Sequence, residues 1–115
     1  MKVIIAGGRF FNDYDLLCLK ADKILSRQSE IEIVSGAARG ADKLGERYAV
    51  ERGYKITRFP ADWNFHGKKA GYLRNVEMAE YADALIAFWD GRSRGTKHMI
   101  NIAEKQDLLL RVITY

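Results

Sequence analysis

Ile31-Glu32-Ile33-Val34-Ser35-Gly36-Ala37-Ala38-Arg39-Gly40-Ala41-Asp42 passes from a short apolar run, through a glycine-and-arginine loop, into a helical pattern. Two further segments repeat the plan. Val3-Ile4-Ile5 precedes Ala6-Gly7-Gly8-Arg9, and Ala84-Leu85-Ile86-Ala87-Phe88 precedes Trp89-Asp90-Gly91-Arg92-Ser93-Arg94-Gly95-Thr96. Glycine lets backbone approach a ligand closely, because it lacks a β-carbon and tolerates positive φ. A loop of this kind that opens a helix offers unpaired N–H groups and the positive end of the helix dipole to an anion. Arginine adds a planar fork matched to phosphate or carboxylate. Three such loops in one chain point to a phosphate-bearing ligand.

Outward from these loops, apolar β-rich runs alternate with helical patterns along the whole chain. Strands are expected at about 2–6, 31–34, 55–59, 83–88 and 109–114. They are near-continuously apolar, as suits parallel strands covered on both faces. Tyr14, Leu17, Ala21, Ile24 and Leu25 follow helical spacing, with Asn12 or Asp13 as N-cap. Ala41, Leu44 and Tyr48 form a second stripe, which Gly53 ends. Further helices are expected over about 70–81, with Leu73, Val76 and Ala79 or Glu80 on related faces, and about 95–106, with Met99, Ile100 and Ala103. Only Pro60 to Lys69 reads as long and irregular. The alternation predicts one domain over 1–115: an α/β, three-layer Rossmann-like fold, with a mostly parallel sheet of about five strands and helices on both faces. Ligands of such sheets sit outside the carboxyl ends of the strands, where strand order reverses. With strands one and four as neighbours, the first and third loops would border that crevice.

Composition is compatible with this reading. The 115 residues are 48% hydrophobic and 30% charged, which is ordinary for a globular chain. No apolar stretch approaches the ~20 residues that a membrane span needs. Met1 leads directly into a strand with no signal-peptide pattern, and the single Cys18 excludes an internal disulfide. A cytoplasmic protein with no membrane partner is the expectation. The net charge of +4 favours anionic partners, although no block of like charges forms a basic tail.

Spacing narrows the chemistry. Gly36-x-x-x-Gly40 is not the dinucleotide fingerprint G-x-G-x-x-G. Gly91-x-x-x-Gly95-Thr96-Lys97 is one residue short of a P-loop and has its lysine after the threonine. His66 and His98 are far apart and Cys18 stands alone, so neither a metal nor a cofactor is expected. The ligand-binding candidates are Gly7, Gly8, Arg9, Ser35, Gly36, Arg39, Gly40, Asp42, Arg74, Asn75, Asp90, Gly91, Ser93, Gly95 and Thr96. Arg92 and Arg94 are weaker ones. Ser35, Ser93 and Thr96 suit phosphate contact or helix capping equally, and Asp42 suits a first-turn carboxylate. Trp63 and Trp89 could stack on a base or pack locally.

Whole segments carry a resemblance as well. Gly7-Gly8-Arg9-x-Phe11, Ser35 to Asp42, Phe59-Pro60-Ala61-Asp62-Trp63, Ala70-Gly71-x-x-Arg74-Asn75-x-x-Met78 and Gly91-x-Ser93-x-Gly95-Thr96-x-x-Met99 together resemble the SLOG superfamily of SMF/DprA and LOG proteins. The likeness is greatest to its small single-domain YspA/YpsA-related members. It implies a Rossmann-like domain that binds a nucleotide or a nucleotide-derived small molecule, or single-stranded nucleic acid in the DprA manner. Self-association is implied too. LOG enzymes carry a catalytic glutamate where this chain has Met99, so the resemblance favours binding over N-glycosidic cleavage. A nucleotide hydrolase built on Arg74 and Asp90 stands as the alternative.

Overall fold

The computed structural model describes residues 1–115. Its sheet is built from β1 (Lys2–Gly7), β2 (Glu32–Ser35), β3 (Lys55–Arg58), β4 (Ala84–Trp89) and β5 (Leu109–Thr114), in the order β3-β2-β1-β4-β5. Every pairing is parallel, so the sheet is wholly rather than mostly so. Strand order reverses between β1 and β4, whose register pairs Gly7 with Phe88.

Side chains alternate across each central strand, and this splits the interior into two cores. Val3, Ile5, Ile33, Ile86 and Phe88 face helices α1 (Tyr14–Ile24) and α2 (Ala41–Arg52), meeting Leu17, Ala21 and Tyr48. Ile4, Ala6, Val34, Leu85 and Ala87 face α4 (Ala70–Tyr81) and α5 (Arg94–Lys105), meeting Met78, Met99 and Ala103. The three-layer Rossmann-like expectation holds. Local signals act as read from the sequence: the Asp13 side chain caps α1 by accepting from the Leu16 amide at 3.0 Å, and Gly53 ends α2 at φ +73°.

Three details differ from expectation. The 60–69 stretch is not irregular throughout: α3 (Trp63–His66) is capped by the Asp62 side chain, and Gly67–Lys69 forms a 3-10 turn. Four residues are too few to show helical periodicity. On α4 the buried face is Ala70, Asn75, Met78 and Ala79, whereas Leu73 is exposed. Turning Arg74 and Asn75 toward the carboxyl ends of the strands rotates Met78 and Ala79 onto the sheet. Lastly, β3 and β5 are edge strands and lie largely open, so coverage on both faces holds only for the centre.

A cleft at the switch point

The carboxyl ends of the strands open into a cleft of about 650 Å³. Its walls come from the first loop (Gly7, Gly8, Arg9), the second loop with the start of α2 (Gly36, Ala37, Ala38, Asp42), the start of α4 (Gly71, Arg74, Asn75) and the third loop with the start of α5 (Asp90, Ser93, Gly95, Thr96). Helices α2 and α5 therefore begin at one space, each with the positive end of its dipole, whereas α4 continues from the Gly67–Lys69 turn, whose Gly67 carbonyl accepts the Ala70 amide.

Packing explains several of the glycines. A β-carbon on Gly7 would collide with the Phe88 carbonyl and lie 2.8 Å from Ala41 Cβ. One on Gly40, already at φ +77°, would run into the backbone of Gly8 and Arg9. The first two loops are also stitched together, because the Gly8 carbonyl accepts from both Phe11 and Ala41 amides at 3.2 Å. Gly36 has a different reason. A β-carbon there would lie 2.5 Å from Arg74 Nη1 and 2.7 Å from Asp42 Oδ2, so this glycine leaves room for two charged side chains.

Those two side chains are the most buried charges of the cleft, and neither closes an ion pair. Arg74 donates through Nε to Asn75 Oδ1 at 3.1 Å and through Nη1 to the Gly36 carbonyl, both neutral acceptors. Burial holds its pKa below the usual arginine range, and repulsion from Arg9 adds to the effect. Arg9 itself is exposed at the cleft wall, without a hydrogen-bond or ion-pair partner. Asp42 is only 5% exposed and accepts a single hydrogen bond, from the Ala38 amide at 3.2 Å to Oδ2. Burial raises its pKa to about 6 despite the opposing charge of Arg74.

Asn75, 6% exposed, fastens this wall to α5: its Nδ2 donates to the Gly95 carbonyl at 3.3 Å and to His98 Nδ1 at 3.1 Å. That contact makes Nδ1 of His98 the acceptor, so its proton sits on Nε2. Burial keeps His98 below its usual pKa. Asp90 takes a turn role: Oδ1 accepts from the Arg92 and Ser93 amides at 2.8 and 2.9 Å, the latter being the larger cause of its lowered pKa. Ser93 caps α5, accepting from the Thr96 amide at 3.3 Å, and its hydroxyl meets Thr96 Oγ1 at 2.9 Å.

Of the residues singled out from sequence, Gly7, Gly8, Arg9, Gly36, Asp42, Arg74, Asn75, Asp90, Ser93, Gly95 and Thr96 line the cleft together. Four do not. Ser35 is fully buried and donates to Glu46 Oε2 at 2.7 Å; Arg39 is exposed; Gly40 is covered by the first loop; Gly91 lies outside the main wall. Trp63 lines the cleft at its mouth, whereas Trp89 packs into the α4–α5 core and donates to the Ser93 carbonyl at 3.1 Å. Met99, 1% exposed, forms part of the floor. Phe10, Lys68, Tyr72 and Tyr115 also reach the cleft, though none was singled out from sequence. Tyr115 arrives from β5 by packing edge-on against Phe11, with ring centroids 4.8 Å apart. Glu46 was missed as well, although its i, i+4 spacing from Asp42 sets both carboxylates on one face of α2.

An all-parallel α/β sheet with its cleft at the reversal of strand order defines a Rossmann-like domain. The profile of the YAcAr family, described as the YspA, cpYpsA-related SLOG family, matches residues 1–66, and the chain belongs to that family. It is 40% identical over 114 residues to the Gene 61 protein of Mycobacterium phage D29, covering 90% of this chain and 89% of that protein. In fold it is similar to DNA processing protein A from Helicobacter pylori, whose structure is described for its single-stranded DNA binding mode. The TM-score is 0.67 at 20% identity, with 97% of this chain matched. The match spans 64% of that larger chain. No helix is long and apolar enough to cross a membrane.

Proposed function

We propose that the cleft binds a nucleotide or nucleotide-derived small molecule through its phosphate. One observation carries the reading: Arg9 has no partner and Arg74 donates only to neutral acceptors on a cleft where α2 and α5 begin, and neither closes an ion pair, although Asp42 attracts Arg74 more strongly than Arg9 adds repulsion. An anion between them would relieve that repulsion and occupy the dipole ends. Saturating ligand at about 100 times its Kd should stabilise the fold by ~2.7 kcal/mol, enough to raise Tm by several degrees. A thermal-shift panel of nucleoside mono- and diphosphates should show this rise in the native chain and its loss in Arg74→Ala. No rise with any of them would sink the proposal.

A second reading, single-stranded DNA, has support of its own. The fold is similar to that of DNA processing protein A, and the exposed rings of Phe10, Trp63, Tyr72 and Tyr115 stand around a basic cleft mouth. Bases stack on such rings, and the phosphates of a strand would make binding fall steeply with salt. Retention of an oligodeoxynucleotide at low salt, lost on moderate salt addition, would favour this reading over the first.

A further inference from the structure

Asp42 is an odd neighbour for a phosphate site. It is a carboxyl group on the cleft wall, almost wholly withdrawn from solvent, beside the arginine best placed to hold an anion. Its Oδ2 takes the Ala38 amide, while Oδ1 has no partner in the chain and keeps some access to solvent. Arg74 lies just across Gly36 but does not close into an ion pair with it, and Arg9 lies beyond Arg74. On its own helix the charged neighbours are Lys43, which is exposed, and Glu46, which is engaged with Ser35 and Arg58. Oδ1 is therefore open to a donor from outside the chain, water when the cleft is empty and a ligand group when it is filled.

The donor must sit close to the anion, because Asp42 and Arg74 flank the same glycine. In a nucleoside 5′-phosphate the 3′- and 2′-hydroxyls follow the phosphate along the sugar, and the donors of the base lie farther out than the 3′-hydroxyl. We propose that Asp42 Oδ1 accepts a hydrogen bond from a ribose hydroxyl, making Asp42 the residue that selects a free ribonucleotide. This rests on the phosphate-cleft reading above. A DNA strand has no 2′-hydroxyl, and its internal 3′-oxygens are esterified, so within the strand it offers this carboxylate no sugar hydroxyl.

The test is a set of paired Kd measurements by calorimetry at pH 7.5, using the four common ribonucleoside 5′-monophosphates and their 2′,3′-dideoxy counterparts. At least one ribonucleotide should bind the native chain roughly tenfold or more tighter than its dideoxy partner, the scale of a hydrogen bond to a charged group. The 2′-deoxy and 3′-deoxy forms then tell which hydroxyl is read. In Asp42→Ala no hydrogen-bonding group remains at this position, so the ratio should fall close to one, whatever common shift the lost negative charge gives both ligands. A role limited to shaping the second loop would move both ligands together. The native ratio should also shrink as pH falls through about 6, where the carboxyl takes up a proton. This readout does not depend on how any variant folds. Equal binding of ribo and dideoxy forms overturns the Asp42 assignment and leaves the phosphate reading standing. Binding of neither overturns both, as does tighter binding of an oligodeoxynucleotide than of any ribonucleotide.

Discussion

At the amino ends of the strands, Glu32 accepts from Thr57 at 2.8 Å and from Tyr81, and pairs with Lys55 at 3.6 Å, while Asp83 accepts the Lys2 amide at 2.8 Å. At the carboxyl ends, Arg9 has no partner, Arg74 has only neutral ones, and Asp42 keeps an oxygen free. Both ends place charges near backbone and rings, but only the carboxyl ends combine satisfied ones, Glu46 with Arg58 and Asp90 with two amides, with charges that stay open. Charges that fold the chain are paired within it, and charges left open at a cleft await something else.

Replacing Glu32 with alanine tests the paired end and should have the largest effect on stability. It removes the acceptor for two hydroxyls and one ammonium from a site only 12% exposed, so a loss of about 2–4 kcal/mol is expected, or a Tm drop of roughly 10 °C or more. The Tyr81 hydrogen bond is the main reason the Glu32 carboxyl lies below its usual pKa. Its stabilisation is therefore present above the ordinary glutamate range and fades in acid, and the gap between native and variant chains should narrow below about pH 4.

At the open end the sign reverses. The folded pKa of Asp42, about 6, lies above its usual 3.8, so the native state loses stability as pH rises between those values. Asp42→Asn should raise stability by about 1–3 kcal/mol at pH 8 and by nothing below pH 4, measured by calorimetry across that range. A variant less stable than the native chain at pH 8 would show that the carboxylate is satisfied after all. The smallest stability change belongs to Arg9→Ala, expected within about 0.5 kcal/mol of the native chain because no contact is lost. That same variant should abolish the nucleotide-dependent rise in Tm. A large destabilisation without ligand would place Arg9 among the structural charges.

Much of this architecture was legible in advance, for physical reasons that differ by element. The central strands announced themselves through unbroken apolar runs, and α1, α2 and α5 through stripes ending in recognisable caps. The α4 stripe misled at Leu73, because the cleft rather than the sheet orients that helix. Site legibility stopped where contacts become tertiary. Arg74 and Asp42 could be seen as loop-side charges, but nothing local revealed that Gly36 lets them meet. Ser35 looked like a loop hydroxyl until Glu46, from within α2, covered it. Tyr72 is an unspecified position within its motif and Tyr115 lies outside any motif, so both reach the cleft only through folding.

Tyr115 carries a practical consequence for any experiment on this protein. Its ring leans on Phe11 and its hydroxyl abuts Gly8, so the end of β5 forms part of the rim. A fusion tag or surface-coupling handle placed after Tyr115 would emerge beside the cleft. One placed before Met1 would leave from the opposite end of the sheet, where it could not touch the measurement.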